Sequence, residues 1–173
     1  MDRYQRERRR FIPPQAMEVL IQAFPAVLVA QADGFTDTTE IQRLGEIIAF
    51  LCRKKGVPLD ILDWNAELRY LSVDANFWRK DFLDTLKALL RLHPELYNQQ
   101  AEFLYAVAAA STGDVVRNLL LRLHRQNFNP SEGTELISSK ERAEIERLTQ
   151  ELDFRTAPGA LEYLQKLLTH SHA

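Results

Sequence analysis

Along nearly the whole chain, apolar residues return every three or four positions, and no run sustains the two-residue alternation of a half-buried strand. The pattern predicts helix after helix. A first helix spans about Gln15 to Ala32, with Pro25 expected to kink or split it, because proline lacks the amide donor and crowds the preceding turn. A second starts at Asp37 and gathers Ile41, Leu44, Ile48, Leu51 and Cys52 on one face. Lys54, Lys55 and Gly56 then have the chemistry of a helix end. Pro58 can open a short helical piece through Trp64 or beyond. Asp74 is the expected N-cap of a long helix to His93, whose buried stripe is Trp78, Phe82, Leu86, Leu89 and Leu90. Pro94 suits the first position of the next helix, which runs through Phe103 and the small residues between Ala106 and Ala110. Ser111 to Asp114 should break the chain before a helix from Val115 to Gln126, and Asn127 to Thr134 is dense in turn formers. Ser138 starts a helix to about Leu152, and Thr156 a last one through Leu168. The expected architecture is a single all-α bundle of seven to eight helices over residues 15–173, after a flexible Arg-rich segment over 1–14.

Length and composition fit that picture. The 173 residues are enough for one sizeable core, and 46% apolar against 27% charged is the balance of an ordinary globular chain. A formal net charge of −2 gives no global attraction to nucleic acid. Cys52 is the only cysteine, which excludes an intramolecular disulfide and a Cys-cluster zinc site, and a cytoplasmic address is expected. The most apolar stretch, Val19 to Ala32, is 14 residues and carries Gln22, Pro25 and Gln31, short of the roughly 20 residues of a membrane helix. Charge is uneven at one place only. Arg3, Arg6, Arg8, Arg9 and Arg10 outnumber Asp2 and Glu7 in the first ten residues. The plain reading is a solvated, frayed terminus. The sharper reading is an electrostatic foot for an acidic partner, a phosphate backbone or an anionic membrane surface.

One segment stands apart from the helical pattern. Ala32-Asp33-Gly34-Phe35-Thr36-Asp37-Thr38-Thr39-Glu40 places three carboxylates on a turn that Gly34 lets bend sharply. Asp33, Asp37 and Glu40 could offer oxygens to a hard divalent cation, since such ions accept several oxygen ligands in flexible geometry. The spacing is not that of an EF-hand: counting from Asp33, position 3 is Phe35 and position 12 is Leu44. Asp37 and Glu40 also have the three-residue separation of a capping box, and a helix cap explains them without a metal. The two roles are compatible, because a carboxylate can bond the backbone with one oxygen and present the other. A faint internal echo links Val27–Gly34 with Leu104–Gly113, and Glu40–Leu44 with Glu144–Leu148 or, anchored at its cap, with Ser138–Glu141. It reads either as two generic amphipathic helix pairs or as a duplicated helical unit.

The run Val29 to Glu40 resembles the A-x-A-D-G-x-x-D-x-x-E signature of the TerB-like tellurite-resistance family. The resemblance implies an all-helical bacterial domain of two related halves, each with an acidic corner proposed to bind a metal ion. It implies that Asp33, Asp37 and Glu40 hold the first corner's acidic positions. In the second corner Thr112 stands where the family places Asp, Gly113 keeps the glycine, and Ser138 and Glu141 stand for the Asp and Glu that follow. The metal candidates on this reading are Asp33, Asp37, Glu40 and Glu141, with a divalent cation as cofactor and a stress-response or tellurite-resistance context.

No enzyme motif competes with that reading. The chain has no Gly-rich phosphate loop, no Gly-x-Ser-x-Gly and no His-Glu-x-x-His, and His93, His124, His170 and His172 form no ligand motif. Cys52 lies on an apolar helix face, where an inert thiol is the simpler reading, and Trp64, Trp78 and Phe82 read as core or interface anchors. The expectation is a non-enzymatic domain that binds a cation at its acidic corner. The alternative is a protein–protein interaction module in which that corner only caps a helix. Either way a protein partner is expected, no transmembrane segment is, and the five arginines offer a peripheral membrane contact.

Overall fold

The computed structural model describes residues 1–32, 34, 38–110 and 137–169. Among them are eight α-helices: α1 (Asp2–Arg8), α2 (Pro14–Ala30), α3 (Thr38–Lys55), α4 (Trp64–Val73), α5 (Ala75–Leu92), α6 (Leu96–Ala110), α7 (Ser139–Glu151) and α8 (Ala160–Thr169). Short 3-10 turns at Leu59–Ile61 and Phe154–Thr156 link α3 to α4 and α7 to α8. The helix expected over 115–126 and the loop over 127–134 lie outside the described residues, as do Asp33 and Asp37.

The apolar stretch that is too short to cross a membrane is the central helix. Of α2, every residue from Val19 to Ala30 is buried, as befits a helix apolar on all sides. It packs against α3, α4, α5, α6 and α7. No helix among the described residues is long and apolar enough to cross a membrane. Pro25 does not split α2, which runs unbroken through it. In the turn before Pro25, the Gln22 carbonyl accepts a 2.7 Å bond from the buried Gln100 amide on α6. A neighbouring helix thus bonds backbone one residue beyond the Ile21 carbonyl, the one that Pro25 has no N–H to reach.

Local signals explain most helix ends. Gly56 adopts φ +68°, and Val57 N–H reaches back to the Cys52 carbonyl at 2.8 Å, closing α3 with the Val57 side chain buried. Asp63 caps α4 by accepting from Ala66 N–H, a cap ahead of Trp64 rather than the continuous piece expected from Pro58. Pro94 sits in a turn, and α6 starts at Leu96. Ile41, expected on the buried face of α3, is half exposed, whereas Leu44, Ile48, Leu51 and Cys52 are buried. The buried arc of α3 is set by α2 and α6 on one side and excludes the first-turn position of Ile41.

The N-terminal segment differs most from expectation. Residues 1–14, read as a flexible lead-in, begin with a helix whose Tyr4 lies wholly in the core, and Ile12 is wholly buried too. The Tyr4 ring meets Trp78 and Phe82 edge-on at 5.1 and 5.3 Å between centroids. Burial of these two side chains, at roughly 1.5–3 kcal/mol for each large apolar group, opposes the fraying expected of an Arg-rich terminus.

Candidate functional site

The first corner leaves α2 at Ala30 and turns through Gly34, whose φ of +97° is left-handed backbone that favours glycine. Gly34 N–H closes on the Gln31 carbonyl at 3.0 Å. α3 begins at Thr38, and Glu40 occupies its first turn with only 1% of its surface exposed. Among the expected ligands of this corner, Glu40 is thus placed in the interior, and Asp33 and Asp37 lie outside the described residues.

The second corner places Glu141 in the first turn of α7, wholly buried. Here the cap is visible atom by atom. Ser138 Oγ accepts from Glu141 N–H at 3.2 Å, and its own hydroxyl donates to Glu141 Oε1 at 2.7 Å. One hydroxyl therefore serves as acceptor for an orphan amide and as donor to a buried carboxylate. Around the two corners, Gln31 and Ala32, which lead into Asp33, line the same hollow of about 580 Å³ as Lys140, the neighbour of Glu141. The ends of α2 and the start of α7 are thereby brought to one side of the molecule.

A third buried carboxylate escaped the sequence reading. Glu67 on α4 is fully buried and accepts from Tyr4 Oη at 2.6 Å, from Arg8 Nε at 3.0 Å and Nη2 at 2.9 Å, and from Arg10 Nη1 at 3.1 Å. The Arg8 fork is bidentate, the strongest form of such a pair. Burial, reinforced by the Glu67 bond, pushes the Tyr4 phenol far above its ordinary value. The Glu67 bond also raises the Arg8 guanidinium. A signal existed in the pattern: with Trp64, Leu68 and Leu71, Glu67 falls on the apolar stripe of α4, and five arginines lie upstream.

The electrostatic foot expected of those arginines is therefore divided. Arg8 and Arg10 face inward onto Glu67. Arg3 lies over the Phe77 ring at 4.4 Å and the Trp78 ring at 5.8 Å, with Asp81 3.8 Å away. Arg8 also covers the Tyr70 ring at 4.2 Å. Between α1 and the junction of α4 with α5, a hollow of about 390 Å³ is lined by Glu7, Tyr70, Val73, Asp74, Phe77 and Trp78.

Other candidates resolve into structure. Arg79 joins α5 to α7 through Glu144 at 2.6 Å and Glu151 at 2.9 Å. Cys52 is buried, and burial pushes its thiol up, away from the thiolate a nucleophile requires. Lys54 donates to Gln99 and Lys55 pairs with Glu18, so both lysines have partners other than the thiol. His93 sits at the exposed end of α5 beside Glu95, and the other three histidines lie outside the described residues. Among the described residues, no group of three or more His, Cys, Asp or Glu side chains is arranged to hold a metal ion; Asp33 and Asp37 are not among them. No family model matches the chain, and neither a curated protein nor a solved structure matches it.

Proposed function

We propose that this protein is a non-enzymatic, TerB-like helical domain whose first corner binds a divalent cation through Asp33, Asp37 and Glu40. The observation that carries the reading is the Ser138–Glu141 contact of the second corner. There a buried glutamate is matched by a hydroxyl three residues earlier, which gives it a proton to bond. At the same spacing ahead of buried Glu40 the sequence has Asp37. An ionised aspartate can accept the first-turn amide, but it has no proton to donate to Glu40. A cation bound by two such carboxylates would offset their mutual repulsion. Asp33, four residues upstream, adds a third set of oxygens, which suits a hard ion.

Glu141 belongs to the second corner's hydroxyl cap and is not a ligand on this reading. A bound ion would neutralise the charge of the first corner and tie the end of α2 to the start of α3. The stress-response or tellurite-resistance setting implied by the family resemblance belongs to the same proposal.

Calorimetric titration of chelator-treated protein with Ca²⁺, Mg²⁺, Mn²⁺ and Zn²⁺ tests it. Saturable binding is expected in the native chain and not in Asp37→Ser, which installs the hydroxyl chemistry of the second corner. Equal binding by Asp37→Ser, or no binding below millimolar cation, assigns the corner to helix capping alone.

A further inference from the structure

We infer that the hollow between α1 and the α4–α5 junction is a docking site for an arginine or lysine side chain presented by a partner protein. Its walls are aromatic and aliphatic: Tyr70, Val73, Phe77 and Trp78 line about 390 Å³ of space. Val73 is 87% exposed and Phe77 46%, so apolar surface remains uncovered on a helix junction that is otherwise well packed. The face of an aromatic ring attracts a cation, and an alkyl stem gains by covering such walls.

Charge decides what kind of side chain fits. The two arginines at the hollow each have a counter-ion, Arg3 in Asp81 and Arg8 in Glu67. The two carboxylates in its lining, Glu7 and Asp74, form no ion pair among the described residues. Asp74 stands at the N-terminus of α5 yet makes no capping bond with its side chain. Two carboxylates without counter-ions beside an aromatic wall complement a cation on an apolar stem.

The chain itself shows the chemistry in use. Arg3 already rests over Phe77 and Trp78, held by a long and half-exposed pair to Asp81. Exposed pairs of that kind are weak, so Arg3 can leave the ring. Arg3 lies outside the lining of the hollow but covers the Phe77 ring, for which an incoming cation competes with it. The open mouth of the hollow and protruding Val73 favour a side chain carried on a peptide over a free small cation. None of these residues belongs to the acidic corner, and the proposal stands apart from cation binding there.

The test follows amide and indole resonances of the full chain during titration with a short capped peptide of alternating glycine and arginine. A lysine version compares ammonium with guanidinium, a norleucine version removes the charge, and methylguanidinium supplies the cation without a peptide. Saturable shifts at Val73, Phe77 and the Trp78 indole are expected with the arginine or lysine peptide. The Glu7→Gln, Asp74→Asn variant should bind roughly three- to tenfold more weakly, the range of two exposed charge pairs. Arg3→Ala should bind several-fold more tightly, since it removes the competitor. A merely structural Arg3 would not give that sign. Binding by the norleucine peptide or by methylguanidinium as strong as that of the arginine peptide overturns the proposal. So does an Arg3→Ala variant that binds no better, or the absence of shifts up to millimolar peptide.

Discussion

Helices α3 and α7 both carry a buried glutamate in the first turn, yet the residue three positions earlier is an aspartate in one and a serine in the other. At the start of α7 the serine hydroxyl bonds both the orphan amide and one oxygen of the glutamate, Oε1. Ahead of α3 the sequence has Asp37 three residues before Glu40, a second carboxylate in place of a hydroxyl. Glu67 shows a second way to keep a carboxylate in the interior, with two arginines and a tyrosine converging on it. Burial of an acid says little by itself. What matters is whether a hydroxyl, a cation from the chain or an ion from solution answers it.

The largest effect should come from the acid most completely answered by the chain. Glu67→Ala leaves Arg8 and the Tyr4 hydroxyl without their partner, and denaturant unfolding should show a loss of about 3–5 kcal/mol. Glu67→Gln should lose less, because it retains an acceptor for Tyr4. A smaller loss is expected when the second corner is converted to the chemistry of the first. Ser138→Asp sets a second carboxylate against buried Glu141, and at neutral pH should cost about 1–3 kcal/mol, with part of the loss recovered on adding Ca²⁺ or Mn²⁺. Full stability of Ser138→Asp without added ion would remove the contrast between the corners. Ser138→Ala, which deletes the cap and adds no charge, should cost about 1 kcal/mol in the same measurement.

The mildest test is a titration with no substitution. Tyr4 is held above its ordinary value of 10.0, so the folded state favours its protonated form. Its contribution to stability is then fully present below about pH 10 and is lost as pH rises through the folded-state value. Ultraviolet titration should show the Tyr4 phenol ionising only as the chain unfolds in alkali. Ionisation of Tyr4 below the unfolding transition would mean that α1 releases it without loss of the core.

Much of the helical layout was legible beforehand because helix signals are local. Ser138 as the cap of α7, Gly56 past the end of α3, and the stripe of Trp78, Phe82, Leu86 and Leu90 on α5, with the expected Leu89 only partly buried, depend on neighbours within a few residues. Ile41 was misplaced because periodicity marks an apolar face without saying which part of it a neighbouring helix covers. The N-terminal segment was misread for a similar reason. Five arginines in ten residues look solvated unless the acid that receives two of them is known to be buried, and that acid lies 57 to 59 residues away.

The sequence alone determined the helical class, the most apolar helix and the composition of both corners, since each follows from short-range spacing and from which functional groups are present. Tertiary structure decided that α1 is part of the core, that Glu67 is its anchor, and that Glu7 and Asp74 share a hollow with Tyr70, Phe77 and Trp78. Those facts depend on how helices dock. Docking is set by the sum of packing and charge over distant segments, which no local pattern contains.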